Sequence, residues 1–159
     1  MKKILWIVVI LGLMGAGYFW AKDGEIQNMA EQKYTHENPN FSFSYAGDYK
    51  ISSIPDEAEG SETVLISKTA SSTLAFQMQI YVISFDEDIV LTEERIKQDV
   101  PDMATENAKI FSLDSVRGVV FESEGMQNVW VINGGYLYQI STYLNQKEEM
   151  NKILDKWKW

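Results

Sequence analysis

The sequence predicts an α+β fold, an antiparallel β-sheet flanked by helices, preceded by one N-terminal transmembrane helix. Three observations carry this prediction. An uncharged apolar segment opens the chain, over residues 4–21. Short alternating segments separated by turn residues follow it, as expected for an antiparallel sheet. Two segments with a helical apolar period interrupt and close the series of strands.

The first apolar segment is long enough to anchor the chain in a membrane. It lies between Lys3 and Lys22 and holds no charge. As a helix it spans roughly 27 Å, close to the roughly 30 Å hydrocarbon core of a bilayer. The basic residues before it favour a single span with the N-terminus inside the cell. Its first residues are Ile4, Leu5, Trp6, Ile7, Val8, Val9, Ile10 and Leu11.

A cleaved signal peptide is the alternative interpretation of residues 1–22, because a basic start and an apolar run fit both. Cleavage after Ala21 places Phe19 where a small residue is needed, which favours the uncleaved anchor. We therefore predict a single-pass protein of the cell membrane with its C-terminal domain outside the cytoplasm. The predicted division is an anchor over 1–22, a polar spacer over 23–40 and one domain over 41–159.

The chain beyond the anchor is strongly acidic. All 23 acidic residues lie after Lys22, whereas only 11 of the 14 basic residues do. This balance argues against nucleic acid as a partner, since phosphates require a basic surface. It also argues against a domain that lies flat on anionic lipid. The absence of cysteine removes thiol catalysis, disulfides and cysteine metal sites.

The strands are predicted from period-two alternation and turn residues. Residues 41–45 alternate aromatic side chains with serine, and Asn133-Gly134 is the strongest hairpin motif. The segment before residue 41 is polar and lacks a firm period, which is typical of a spacer. The predicted strands cover residues 41–45, 49–54, 63–68, 74–85, 109–113, 116–124, 127–132 and 136–143.

Capping residues define two helices. Thr92 is placed to cap the first, with Leu91 and Ile96 spaced for a hydrophobic staple. Pro101 cannot donate a backbone hydrogen bond, so we expect this helix to break near Val100.

Asn145 is placed to cap the last helix, with Glu148 three residues on as in a capping box. Its apolar face has helical spacing and consists of Met150, Ile153, Leu154 and Trp157.

Three motifs resemble PsbP-like domains. Residues 34–45, YTHENPNFSFSY, resemble the family's opening strand, and residues 133–141, NGGYLYQIS, resemble its tyrosine-rich hairpin. Residues 145–159 resemble its closing helix, which ends in an aromatic-Lys-aromatic pattern. Ala46 and Tyr49 depart from the family, which has proline and then tryptophan after the first strand.

The resemblance implies a sheet flanked by helices and a non-enzymatic extrinsic domain. Plant members of the family assist photosystem II from the lumenal side, and bacterial relatives have no settled activity. Nothing in this sequence supports a photosystem partner, so that role is not transferred to this chain.

Few side chains suggest chemistry. His36 is the only histidine, and its place in the spacer predicts a solvated residue rather than a catalytic base. The acidic run Asp86, Glu87 and Asp88 offers oxygen ligands for Ca²⁺ but lacks the spacing of an EF-hand, which favours a solvated loop. Glu122 and Glu124 share a predicted strand face, where carboxylates are usually solvated. We predict no catalytic residue, metal or cofactor.

The candidate surface for a ligand or partner consists of three aromatic residues of the last strands and one at the end of the chain: Trp130, Tyr136, Tyr138 and Trp159. Aromatic residues on strands are more often core, and Trp159 is the one expected to be exposed. Three functions follow in order of preference. The first is a non-catalytic anchored module that docks to another envelope protein. The second is a small-ligand or carbohydrate-binding domain, and the third is a carboxylate-dependent hydrolase.

Overall fold

A computed structural model describes residues 30–56, 60–68 and 76–159. These residues form nine strands, two α-helices and one turn of 3₁₀-helix. The strands are β1 (Glu31–Glu37), β2 (Asn40–Ala46), β3 (Tyr49–Pro55), β4 (Glu62–Lys68), β5 (Gln77–Ser84), β6 (Glu106–Leu113), β7 (Val116–Ser123), β8 (Met126–Asn133) and β9 (Tyr136–Tyr143). The helices are α1 (Glu93–Asp99) and α2 (Lys147–Leu154), with the 3₁₀ turn at Leu144–Gln146.

Seven strands form one antiparallel sheet in the order β3-β4-β5-β9-β8-β7-β6. β1 and β2 form a separate antiparallel hairpin. The C-terminus fastens this hairpin, because Ser42 and Lys158 exchange two backbone hydrogen bonds of 2.8 Å. The predicted α+β fold with an antiparallel sheet is confirmed.

The first face of the sheet, defined as the face that α2 and the hairpin cover, carries the larger core. Trp157 lies at its centre and is fully buried. Its ring stacks on Phe41 with centroids 4.7 Å apart and an interplanar angle of 3°. Met150, Ile153 and Leu154 of α2 pack against the same cluster, so the predicted apolar face of the last helix is confirmed.

The second face of the sheet carries a smaller core beneath α1. Ile96 of α1 packs with Phe121 of β7, Trp130 of β8 and Leu137 of β9. Phe85, just beyond β5, belongs to the same cluster. Helices therefore flank the sheet, as the sequence predicts, and the structure places one on each face.

The ends of α1 agree with the sequence, whereas the start of α2 does not. Thr92 Oγ1 accepts a hydrogen bond from Arg95 N at 3.2 Å, and the C-cap is Val100, next to Pro101. The prediction of Asn145 as a cap is wrong. Asn145 lies inside the 3₁₀ turn, and the N-cap residue is Gln146, which makes no side-chain capping bond.

The spacer prediction requires a correction. Residues 31–37 form strand β1, and pairing with β2 holds it over its whole length, from Glu31 opposite Ala46 to Glu37 opposite Asn40. Tyr34 packs against the first-face core. The domain therefore begins about ten residues earlier than predicted, because pairing with β2 and the packing of Tyr34 and His36 order a strand that is otherwise polar.

The hairpin predicted at Asn133-Gly134 is present, displaced by one residue. Asn133 ends β8, and the two turn residues are Gly134 and Gly135, with φ of 60° and 81°. Two successive positive φ values match the twist of the flanking strands, and glycine adopts them without steric cost.

The predicted anchor over residues 1–22 and the first part of the spacer lie outside the described residues. Among the residues that are described, no helix has the length and apolarity needed to cross a membrane.

Candidate functional site

The aromatic residues proposed as a ligand surface are divided between the two faces of the sheet, with Trp130 on one face and the other three on the opposite one, where the Tyr138 and Trp159 rings are in contact. Trp130 faces the second-face core and is 4% exposed, whereas Tyr138 faces the first-face core and is 1% exposed. Burial raises the pKa of the Tyr138 phenol well above its usual range. Tyr136 and Trp159 pack at the margin of the first-face core. The four side chains thus serve two cores on opposite sides of the sheet.

His36 is buried, and the prediction of a solvated residue is wrong. Its side chain is stacked on Phe41 with centroids 4.8 Å apart. Nδ1 donates to the Pro39 carbonyl oxygen at 2.9 Å, and Nε2 pairs with a Glu62 carboxylate oxygen at 2.8 Å. The ring therefore connects the hairpin β1–β2 to strand β4, which is a structural role for the single histidine.

A second polar connection ties the start of β3 to α2. The Tyr49 hydroxyl donates to the Glu149 carboxylate, and Lys152 pairs with the same carboxylate at 2.8 Å. Lys152 and the Tyr49 hydroxyl hold the pKa of Glu149 below its usual range. Burial, followed by Glu149, raises the pKa of Tyr49. The Tyr49–Glu149 bond joins β3 to α2, whereas Lys152 and Glu149 lie on the same helix.

The acidic run after β5 is organised by an arginine. Arg95 of α1 donates two hydrogen bonds to Glu87, at 2.7 and 2.9 Å, and one to Asp99 at 2.7 Å. This bonding lowers the pKa of Glu87. The Glu87 carboxylate is thus paired with the Arg95 guanidinium, whereas the Asp86 and Asp88 carboxylates are exposed. No three acidic or histidine side chains of the described ranges are arranged to hold a metal ion.

The carboxylates considered for hydrolysis do not face one another. Glu124 lies in the turn after β7 with φ of 51°, so it does not share the strand face of Glu122. Glu122 accepts a hydrogen bond from Asn107 at 2.9 Å and lies 3.9 Å from Lys147 Nζ. The geometry that a glycosidase needs, two carboxyl groups about 5–10 Å apart across a cleft, is not built from this pair.

One surface emerges that the sequence did not single out. On β3, β4 and β5 the second-face side chains alternate with first-face core residues such as Val64, Met78 and Ile80. Four of them are apolar or aromatic and belong to neither core cluster. The surface, here called the open face, consists of Ser52, Ile54, Thr63, Leu65, Gln79, Tyr81 and Ile83.

The open face lies beside the part of the sheet that α1 covers. Pairing places Ile54, Thr63 and Tyr81 in one row, and Ser52, Leu65 and Gln79 in the next. Ile54 is 51% exposed, and the other six side chains are half-buried. The Tyr81 hydroxyl donates to Asp56 Oδ2 at 2.8 Å, which orients the ring at one end of the surface.

The fold defined by these elements is PsbP-like. The chain is similar to the solution structure of cyanobacterial PsbP (CyanoP) from Synechocystis sp. PCC 6803, with a TM-score of 0.56 and 11% sequence identity. The alignment covers 87% of this chain and 97% of that chain. At this identity the likeness establishes the fold, and the predicted PsbP-like fold is confirmed. Neither a protein-family model nor a curated protein sequence matches the chain.

Proposed function

We propose that this chain is a non-catalytic accessory domain, anchored to the cell membrane and lying outside the cytoplasm, that docks to another envelope protein. The observation that carries the proposal is the PsbP-like fold, which extends over most of the chain. A PsbP-like fold suggests an accessory domain without catalysis. The uncharged segment at residues 4–21 supports the anchor.

The use of titratable side chains supports a non-catalytic role. His36 pairs with Glu62, Arg95 with Glu87, and Tyr49 with Glu149. The first and third pairs each join two elements of secondary structure, and Arg95 joins α1 to the loop after β5. Active sites instead collect groups with shifted pKa values in a cleft, where they meet a substrate.

Chemical crosslinking in native membranes tests this proposal. An amine- and carboxylate-reactive crosslinker is applied to membranes that hold the full chain, and crosslinked peptides are identified by mass spectrometry. We expect crosslinks from the acidic domain to an envelope protein of a different sequence. If only lipid and self-crosslinks appear, the docking function is wrong.

A further inference from the structure

We propose that the open face is the docking surface, and that it receives a partner segment with apolar side chains flanked by lysine or arginine. This inference rests on the proposed function and adds the place and the chemistry of contact. It is carried by the composition of the open face, by its geometry and by the charges at its border.

The seven residues of the open face are uncharged, although this surface faces away from the first-face core and lies outside the second-face core. Among the second-face residues of β3, β4 and β5, Lys50 at one end of the surface is the only charged side chain, whereas 23% of the chain is charged. The solvated face of an antiparallel sheet normally alternates polar residues with the core. Depletion of charge together with an aromatic side chain is instead typical of the centre of a protein interface. This composition indicates that the open face is covered by another protein rather than left exposed to water.

The strand register places the apolar side chains of the open face near one another. Ile54 and Tyr81 share a row with Thr63, and Leu65 lies one row away on the strand between them. Ile83 extends the surface towards the end of β5. Neighbouring strands lie about 4.8 Å apart, so these side chains are within reach of one bound helix or extended segment.

The border of the open face is negative at one end. Asp56 lies there, bonded to Tyr81, and Asp86 and Asp88 follow directly after β5 as exposed carboxylates. Within the described part of the chain, neither Asp86 nor Asp88 takes part in an ion pair. At the opposite end Lys50 is exposed. A partner with basic residues beside its apolar ones is complementary to these negative charges. Such complementarity speeds the encounter of the two proteins and fixes their relative orientation.

The same charges disfavour the other occupants. An anionic lipid surface would meet the uncompensated carboxylates of Asp86 and Asp88, and repulsion opposes that contact. A second copy of the chain brings another acidic border, and Lys50 alone cannot balance it. The partner is therefore a polypeptide of different sequence.

Site-specific photocrosslinking tests this inference with a matched pair of positions. Ile54 and Ile110 are exposed to 51% and 53%, and both lie on the second face in the two edge strands of the sheet. A photoreactive amino acid replaces either residue in the full chain, which is then irradiated in its native membranes. Thermal unfolding of each variant checks that the fold is intact.

We expect about fivefold more crosslinked product from position 54 than from position 110, because only the first belongs to the open face. The captured peptide should carry lysine or arginine within about five residues of its apolar contact site. Asp86→Asn with Asp88→Asn should lower the yield at position 54 several-fold. Raising the ionic strength to roughly 0.5 M should do the same, since charges are then screened within about 4 Å.

Equal yields at the two positions would overturn the inference, as would capture of lipid, of a second copy, or of a segment without basic residues. A yield unaffected by the aspartate substitutions and by salt would also overturn it. The proposed function would survive these results if amine-reactive crosslinks to an envelope protein arise from another surface, so the two proposals fail separately.

Discussion

His36 holds the N-terminal hairpin on the sheet with both nitrogens of its ring. Its contacts reach the Pro39 carbonyl within the hairpin and the Glu62 carboxylate on β4. The residue is 8% exposed. A buried polar side chain with two partners contributes through both hydrogen bonds and leaves two unmet acceptors when it is removed.

Replacing this histidine should therefore destabilise the domain. We expect His36→Ala to lower the free energy of unfolding by about 1–3 kcal/mol, measured by urea denaturation. Thr35→Ala, at an exposed position of the same strand, is the control and should cost less than about 0.5 kcal/mol. Equal effects of the two substitutions would show that His36 does not connect the hairpin to the sheet.

Tyrosine ionisation reports the burial of several side chains at once. Burial raises the pKa of Tyr34, Tyr49, Tyr81 and Tyr138 above the ordinary value of 10.0. In the unfolded chain these phenols ionise near pH 10, so stability is present below that pH and declines as the pH rises above it.

We expect alkaline titration, followed by tyrosinate absorbance and circular dichroism, to show that these four tyrosines ionise only as the fold is lost. Ionisation of these four near the ordinary value, with the fold intact, would contradict the burial of their rings.

At the scale of elements, residues 157–159 form a strap, a segment that holds the β1–β2 hairpin against the sheet. Trp157 lies between α2 and the hairpin, stacked on Phe41, and Lys158 pairs with Ser42 through the backbone. Trp159 Nε1 donates to the Leu113 carbonyl at 2.8 Å, which fixes the end of the strap to β6. The hairpin is thus held by residues that lie more than 100 positions later in the sequence.

Removing the Trp157 side chain should destabilise the domain, because this side chain makes most of the strap's contacts with the first-face core. We expect Trp157→Ala to cost about 3–5 kcal/mol in urea unfolding. Trp157→Phe should cost much less, because Nε1 of Trp157 has no hydrogen-bond partner among the described residues. Lys156→Ala, at an exposed ion pair, is the control and should change little. A cost of Trp157→Ala no larger than this control would contradict the strap.

Several strands were predictable from short alternating or β-branched segments bounded by turn residues. β9 was predicted with its observed bounds, and β2, β3 and β4 within about one residue at either end. β1 was not predictable, because Tyr34 and His36 are its only buried or half-buried side chains and its order comes from β2. The start of α2 was also missed, since Gln146 makes bonds to β5 and β9 in place of a helix cap.

At the scale of the whole molecule, the motifs near the two ends of the domain predicted the PsbP-like fold. The open face could not be predicted, because its strands show the same alternation as covered ones. Its exposure depends on where α1 packs, and α1 covers β7, β8 and β9 without reaching β3 and β4. The predicted anchor and the extracytoplasmic location stay predictions.

The central claim is that this domain docks to an envelope protein through the open face. The most direct measurement compares Ile54→Asp with Ile110→Asp in the full chain, extracted from native membranes in mild detergent and separated by native electrophoresis. Both isoleucines are about half exposed on the same face, so loss of stability should be similar and small. We expect the unmodified chain and Ile110→Asp to migrate in a larger complex and Ile54→Asp to migrate alone. Migration of both variants in the same complex would contradict the claim.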